Sequence, residues 1–216
     1  MSYKAVIFDL DGTLLNTLED LTDSTNFALE KCGFPKRNIN EIRHFVGNGI
    51  RLLIDRAVPD NAEPELTEKC FEIFCEHYKT NLNNKTKPYD GIYELLKTLK
   101  ENGIKTAIVT NKADFAANTL CGELFGDYID ITVGATDKRP NKPAPDNVLY
   151  ALTKLGVKKQ DSVFVGDSEV DIQTALNADI DCIGVLWGFR ERFELEKFPV
   201  KYFAENTDEL QKFILF

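Results

Sequence analysis

The chain has 216 residues, a formal net charge of −9 and a hydrophobic fraction of 43%. That is enough for one large domain or a core with a smaller insert. The acidic balance argues against a nucleic-acid surface, which needs clustered Lys and Arg, and no apolar run is long enough to span a bilayer. The N-terminus shows no basic, apolar, small-residue leader pattern. Five cysteines without a Cys-x-x-Cys pair fit reduced packing thiols, so the expected setting is cytoplasmic.

Ala5 to Phe8 is a short apolar run of the kind buried in parallel sheets. It ends in Asp9-Leu10-Asp11-Gly12-Thr13, two carboxylates one residue apart and then a glycine and a hydroxyl. In an open α/β sheet, ligands bind beyond the carboxyl ends of strands, where Asp9 and Asp11 fall. Two ionised carboxylates so close repel, and a cation or a shared proton relieves them. A polar Asp-Gly turn is the bland alternative. Against it, Asp-x-Asp-Gly-Thr arises by accident with a probability on the order of 10⁻³ in a chain of this size.

From Leu14 to Cys32, apolar or small residues recur at helical spacing until Gly33 and Pro35 break the pattern. Asn38 with Glu41 three residues on reads as an N-cap, opening a short helix through Phe45. Gly47-Asn48-Gly49 interrupts, Ile50 to Val58 resumes, and Pro64 to Leu82 carries a further helical stripe. Residues 16–83 therefore read as four helices without a strand, followed by a polar exit linker. After it the pattern becomes alternating: a helix over Gly91 to Lys100, then strands near Ile104 to Val109, Ile129 to Val133, Ser162 to Val165, Cys182 to Val185 and Tyr202 to Ala204. Helices are predicted between and after them, near Asp114 to Cys121, Pro145 to Leu155, Asp171 to Ala178 and Thr207 to Phe216. Such alternation predicts right-handed βαβ units and a Rossmann-like parallel sheet with helices on both faces. The first strand finds no parallel partner before residue 104, so the helical block reads as an insert. The expected division is a core of 1–15 and 84–216 and an all-α cap of 16–83 over the carboxyl edge of the sheet.

Three further strand ends carry polar groups. Thr110-Asn111-Lys112 offers a hydroxyl and N–H groups to an anion, or simply caps the next helix. Lys142 sits among three prolines, 140, 143 and 145, which stiffen its loop. A rigid ammonium there suits charge neutralisation. Gly166-Asp167-Ser168-Glu169-Val170-Asp171 places two carboxylates about one helical turn apart, an arrangement that suits a hard cation with oxygen ligands; a helix N-cap pair is the bland alternative for Asp167 and Asp171.

Asp-x-Asp-Gly-Thr, the Thr110 strand end, Lys-Pro-x-Pro-Asp and Gly-Asp-Ser-x-x-Asp, in this order, resemble the four motifs of the haloacid dehalogenase superfamily of phosphatases and phosphotransferases. The resemblance implies Asp9 as nucleophile, Asp11 as general acid/base, and Thr110, Asn111 and Lys142 around the phosphoryl group. It implies Mg²⁺ held by Asp9, Asp167 and the Asp11 carbonyl, with Asp171 in support. It also implies that the Asp9 and Asp167 strands lie side by side. Asp11 argues for phosphoryl chemistry, because the hydrolytic dehalogenases lack this second acid. Within the insert, Arg43 and Val46-Gly47-Asn48-Gly49 are similar to the cap loop of phosphoglycolate phosphatases, which implies substrate contacts from Arg43, Gly47, Asn48 and Gly49; a plain helix–helix turn is the alternative. Where many relatives carry Asp-Ser after the first motif, this chain has Asn16-Thr17. Trp187-Gly188-Phe189-Arg190 resembles a loop of small bacterial phosphatases, or serves packing. The expected activity is Mg²⁺-dependent hydrolysis of a small phosphorylated metabolite, phosphoglycolate first. A β-phosphoglucomutase-like transferase, a pyrophosphate or nucleotide phosphatase and a non-catalytic phospho-ligand regulator are the alternatives. Neither nucleic acid nor membrane is an expected partner, and monomer or homodimer stays open.

Overall fold

The computed structural model describes residues 3–216. In chain order the elements are β1 (Ala5–Phe8), β2 (Leu15–Asn16), α1 (Leu18–Lys31), α2 (Ile39–Phe45), α3 (Ile50–Ala57), α4 (Pro64–Asn81), β3 (Lys87–Pro88) and α5 (Ile92–Glu101). They continue with β4 (Lys105–Ala113), α6 (Asp114–Leu124), β5 (Ile131–Ala135), α7 (Asp146–Leu155), β6 (Ser162–Gly166) and α8 (Glu169–Ala178). The last are β7 (Asp181–Val185), α9 (Arg192–Leu195), β8 (Tyr202–Ala204) and α10 (Thr207–Leu215). By internal packing the chain divides into two compact units, Met1–Leu15 with Pro88–Phe216, and Asn16–Lys87.

The first unit is an α/β sheet of order β5-β4-β1-β6-β7-β8, every pairing parallel. All four residues of β1 are fully buried, as a central strand with helices on both faces requires. From β1 the sheet grows through β4 and β5 on one side and through β6, β7 and β8 on the other. The order therefore reverses between β1 and β6, and a crevice opens at their carboxyl ends. Ile7, Val109, Val133, Phe164, Ile172 and Leu195 belong to a buried apolar cluster in this unit.

The second unit consists of α1 to α4, with α1 packed along α4. Leu21, Ala28, Leu29, Ile42, Ile54, Cys70 and Phe74 are buried in it. Asn38 is the N-cap of α2, accepting from Glu41 N–H while the Glu41 carboxylate accepts from Asn38 N–H, a reciprocal capping box. Asp20 is buried and accepts from the N–H groups of Lys85 and Thr86 and from the Thr86 hydroxyl.

Several expected boundaries move. The helix expected from Leu14 begins at Leu18, because Leu15 and Asn16 form β2, which pairs with β3. The strand expected at 129–133 lies at 131–135; Asp130 is instead held to the start of β4, where its carboxylate accepts from Thr106 N–H. The strand expected to stop at Val109 runs on to Ala113, with a break in register between those two residues. Thr110, Asn111 and Lys112 fill that irregular stretch.

Candidate active site

Asp9 directly follows β1, and its N–H still donates to Val165 O of β6 at 2.9 Å. Residues 10–15 then turn tightly, with Leu14 and Leu15 N–H both donating to Leu10 O. Gly12 has φ +92°, and a Cβ there would stand 2.4 Å from Asp167 Oδ2. Only glycine satisfies both the left-handed backbone and the close approach.

Around this turn the structure gathers Asp9, Lys142, Asp167 and Asp171. Carboxylate oxygens of Asp9, Asp167 and Asp171, all buried, lie within 4.8 Å of one another. Lys142 Nζ lies 2.7 Å from Asp9 Oδ1 and 2.6 Å from Asp171 Oδ1. Both are close ion pairs, and the second is also a well-aligned hydrogen bond. Asn111 fixes the lysine's backbone from β4: its side-chain amide accepts from Lys142 N–H at 2.8 Å and donates to Lys142 O at 3.1 Å. The Asn111 side chain is therefore committed to the Lys142 loop. The Thr110 hydroxyl is buried and accepts from Lys112 N–H.

Asp171 holds two positions at once. Its Oδ2 accepts from Ser168 N–H and Oγ, the capping box of α8, while Oδ1 takes Lys142. Ser168, not Asp167, is the N-cap. Asp167 is held by two donors from outside its own strand, Thr13 Oγ1 on Oδ1 at 3.0 Å and Phe189 N–H on Oδ2 at 2.7 Å. The Asp11 carboxylate stands apart from this group; both its oxygens face Lys112 Nζ, at 3.0 and 3.2 Å.

The electrostatics follow from burial. Loss of hydration, then the neighbouring Asp171 and Asp167, raise Asp9 to about 8 despite Lys142. Burial, then Asp171, raises Asp167 to about 7, against the Phe189 N–H and Thr13 hydroxyl bonds. Burial works against the Lys142 ammonium, but Asp171 and Asp9 outweigh it and hold its pKa above the ordinary lysine value. Three carboxylates facing one ammonium leave excess negative charge in a dry space. An all-oxygen donor set of this kind fits a hard divalent cation, so the residues present suit Mg²⁺.

Two contacts here have no signature in the sequence. Lys112 belongs to a polar strand end, and its contact with Asp11, 101 residues away, has no local pattern. The loop 187–190 reaches Asp167 through a backbone N–H, which residue type does not encode.

The residues expected to touch substrate from the insert lie at the α2–α3 connection. Arg43 is half-buried on α2, and Gly47 and Gly49 have φ of 122° and 90°. The Asn48 side chain accepts from Arg56, which also donates to Phe45 O. Arg51 is neutralised by Asp55 and Glu68, and His44 is exposed with Nδ1 on Asn40 O.

Comparison with known proteins places the chain in a family. Residues 6–185 match the family model described as haloacid dehalogenase-like hydrolase. A phosphoglycolate phosphatase of Agrobacterium fabrum is 37% identical over 191 residues, 86% of this chain and 81% of that protein. Phosphoglycolate phosphatase 1 of Pseudomonas aeruginosa is 34% identical over 192 residues, 86% of this chain and 70% of that protein. A crystal structure from Lactobacillus delbrueckii subsp. bulgaricus, provisionally named a phosphoglycolate phosphatase, superposes with a TM-score of 0.95 at 34% identity and covers 100% of this chain and 99% of that one. The chain belongs to the haloacid dehalogenase-like hydrolase family.

Proposed function

We propose that this chain, a phosphatase of its family, hydrolyses a small organic phosphate monoester through an aspartyl-phosphate on Asp9, with phosphoglycolate the first substrate to test. The observation that carries the reading is Lys142 seated on Asp9 and Asp171 beside Asp167. A buried carboxylate nucleophile is thereby placed next to fixed positive charge. The names of the relatives support the choice of substrate, and five free cysteines support a cytoplasmic setting. No helix among the described residues is long and apolar enough to cross a membrane.

In the proposed first step an Asp9 oxygen attacks phosphorus, the bond to the leaving alkoxide breaks, and Asp11 gives that alkoxide a proton. In the second, water attacks the phosphoryl-aspartate while Asp11 takes its proton, releasing inorganic phosphate and restoring Asp9. Lys142 neutralises phosphoryl charge from a fixed position, and the Thr110 hydroxyl together with backbone N–H groups near Leu10 and Asn111 hold the phosphoryl oxygens. Asp9, Asp167 and the Asp11 carbonyl would hold Mg²⁺, with Asp171 behind them. When bound, the ion supplies further neutralisation of the phosphoryl group.

A panel of phosphometabolites ranked by kcat/KM, with and without Mg²⁺, tests the reading; turnover that survives EDTA undiminished overturns the metal assignment. Selection among esters is assigned to Arg43 and Gly47-Asn48-Gly49, so Arg43→Ala should reorder the panel while leaving p-nitrophenyl phosphate turnover within about two-fold.

The acid/base role makes its own prediction. Asp11→Asn should lower kcat/KM for an alkyl phosphate by roughly 10²–10⁴-fold. Loss with p-nitrophenyl phosphate, whose leaving group departs without a proton, should be under about ten-fold. Equal losses on both esters would remove Asp11 from leaving-group protonation.

The raised carboxylates predict a pH-dependent cation effect. Asp9 and Asp167 have folded pKa values of about 8 and 7 against an ordinary 3.8. In the metal-free protein their contribution to stability is complete below the unfolded value and disappears as pH rises through 7 to 8. Mg²⁺ binds the ionised form, so the gain in Tm it confers should grow from pH 6 to pH 8.5. At a hundred-fold excess over Kd the gain is about 2.7 kcal/mol, or roughly 5–10 °C for a chain of this size. Melting curves at both pH values check it, and an increment independent of pH contradicts it.

A further inference from the structure

Both oxygens of the Asp167 carboxylate are held by donors from outside its own strand. Its Oδ2 accepts from Phe189 N–H at 2.7 Å. Its Oδ1 accepts from the Thr13 hydroxyl at 3.0 Å, and the carbonyl of that same Thr13 accepts from Trp187 Nε1 at 3.0 Å. Between the two donors lies Gly188, where a Cβ would meet Asp167 Cβ at 2.3 Å and Gly12 O at 2.5 Å. The backbone of the loop is thus pressed against both the Asp167 side chain and the turn after β1. Arg190, buried and paired with Glu169 at 2.9 Å, closes the loop on α8.

Each carboxylate oxygen has two lone pairs. Here one on each oxygen is taken by a fixed donor, and Asp167 cannot rotate without breaking a hydrogen bond. Groups that orient a ligating side chain in this way typically govern metal affinity about as strongly as 10–100-fold.

We propose that Trp187, Gly188 and Phe189 form the positioning element for Asp167, holding its carboxylate ready for the divalent cation without touching substrate. The proposal rests on the reading of Asp9, Asp167 and Asp171 as a cation site. Trp187 acts through Thr13, whereas Phe189 acts directly through its N–H.

The test is Mn²⁺ binding to the full chain by titration calorimetry, together with the Mg²⁺ dependence of turnover. Trp187→Phe removes the indole N–H and keeps an aromatic ring in place. It should weaken Mn²⁺ binding about 10-fold or more and raise the Mg²⁺ concentration for half-maximal rate in parallel. At saturating Mg²⁺, kcat and the substrate KM should return to within about two-fold of wild type, which general loosening of the fold would not allow. Thr13→Val removes the hydroxyl on Asp167 Oδ1 and should weaken the cation similarly. Adding Trp187→Phe to Thr13→Val should cost much less than it does alone, since both act along one path. Trp187 is the only tryptophan, so its emission should also change as wild type takes up the cation. Affinity within two-fold of wild type in Trp187→Phe, or full additivity in the double variant, overturns the proposal. If wild type binds no Mn²⁺, or Asp167→Asn binds it as tightly, the underlying cation site fails instead.

Discussion

Asp9→Asn should lower kcat/KM on any phosphate monoester by roughly 10⁴–10⁶-fold, about 5–8 kcal/mol of lost transition-state stabilisation. The amide cannot form the covalent bond on which the two-step route depends, so the remaining rate reflects positioning and charge alone. The fold should not suffer. With its pKa at about 8, Asp9 in the metal-free protein is mostly protonated at neutral pH, and asparagine copies that neutral, planar group. The sign can be taken further. Wild-type Asp9 loses folded-state stability as pH rises through 8, whereas asparagine does not titrate, so without metal the variant should melt at or above wild type at pH 9. A rapid acid quench during turnover should show the mass of one added phosphoryl group on wild type and none on the variant. Substantial residual kcat, or a phosphorylated variant, would remove Asp9 as nucleophile.

The fold was legible wherever a signal is local or strictly periodic. A central parallel strand buried on both faces reads as an apolar run, and β1 and β6 both end directly in aspartates 9 and 167. The alternation after residue 90 was enough to predict the parallel sheet, and Asn38 with Glu41 announced the capping box that starts α2. The losses have physical causes. β2 and β3 are two residues each, too short for any period to show. β4 overruns its expected end because a register break lets Thr110–Lys112 leave the ladder and rejoin it. Lysine is almost never fully buried unless paired, and Lys112 at 4% exposure meets Asp11 across the fold. Asp171 shows how one residue answers two readings: helix capping was the bland alternative for it, and it takes part in the capping box while also meeting Lys142. At the insert, the sequence showed several cationic side chains near Asn48, but only coordinates reveal that Arg51 and Arg56 are spent on neighbours within the helical unit.

Replacing Lys142 should damage both stability and rate, and the two effects separate by pH. The Lys142 side chain is 2% exposed and its ammonium lies within 2.7 Å of two buried carboxylates. Lys142→Met keeps the bulk of the stem but leaves Asp171, and Asp9 whenever it is ionised, without their partner. Breaking a buried pair from one side costs about 3–5 kcal/mol, which for this chain length is a fall in Tm of roughly 6–20 °C. The catalytic loss, from the missing charge on the phosphoryl group, should be on the order of 10²–10³ in kcat. Lys142 is also the influence that lowers Asp9. Without it the Asp9 pKa climbs above about 8, and the acid limb of kcat/KM should move to higher pH, since the nucleophile must be ionised. By the same sign, neutralising Asp9 as pH falls should recover part of the stability lost by the variant. Lys142→Arg should rescue neither property fully, because a planar guanidinium does not fit a slot shaped for a compact ammonium bracketed by Asp9 and Asp171. Circular-dichroism melts and pH–rate profiles of the two variants decide the matter. A Met variant that melts with wild type and keeps its pH profile would mean that Lys142 is not the counter-charge on which Asp9 depends.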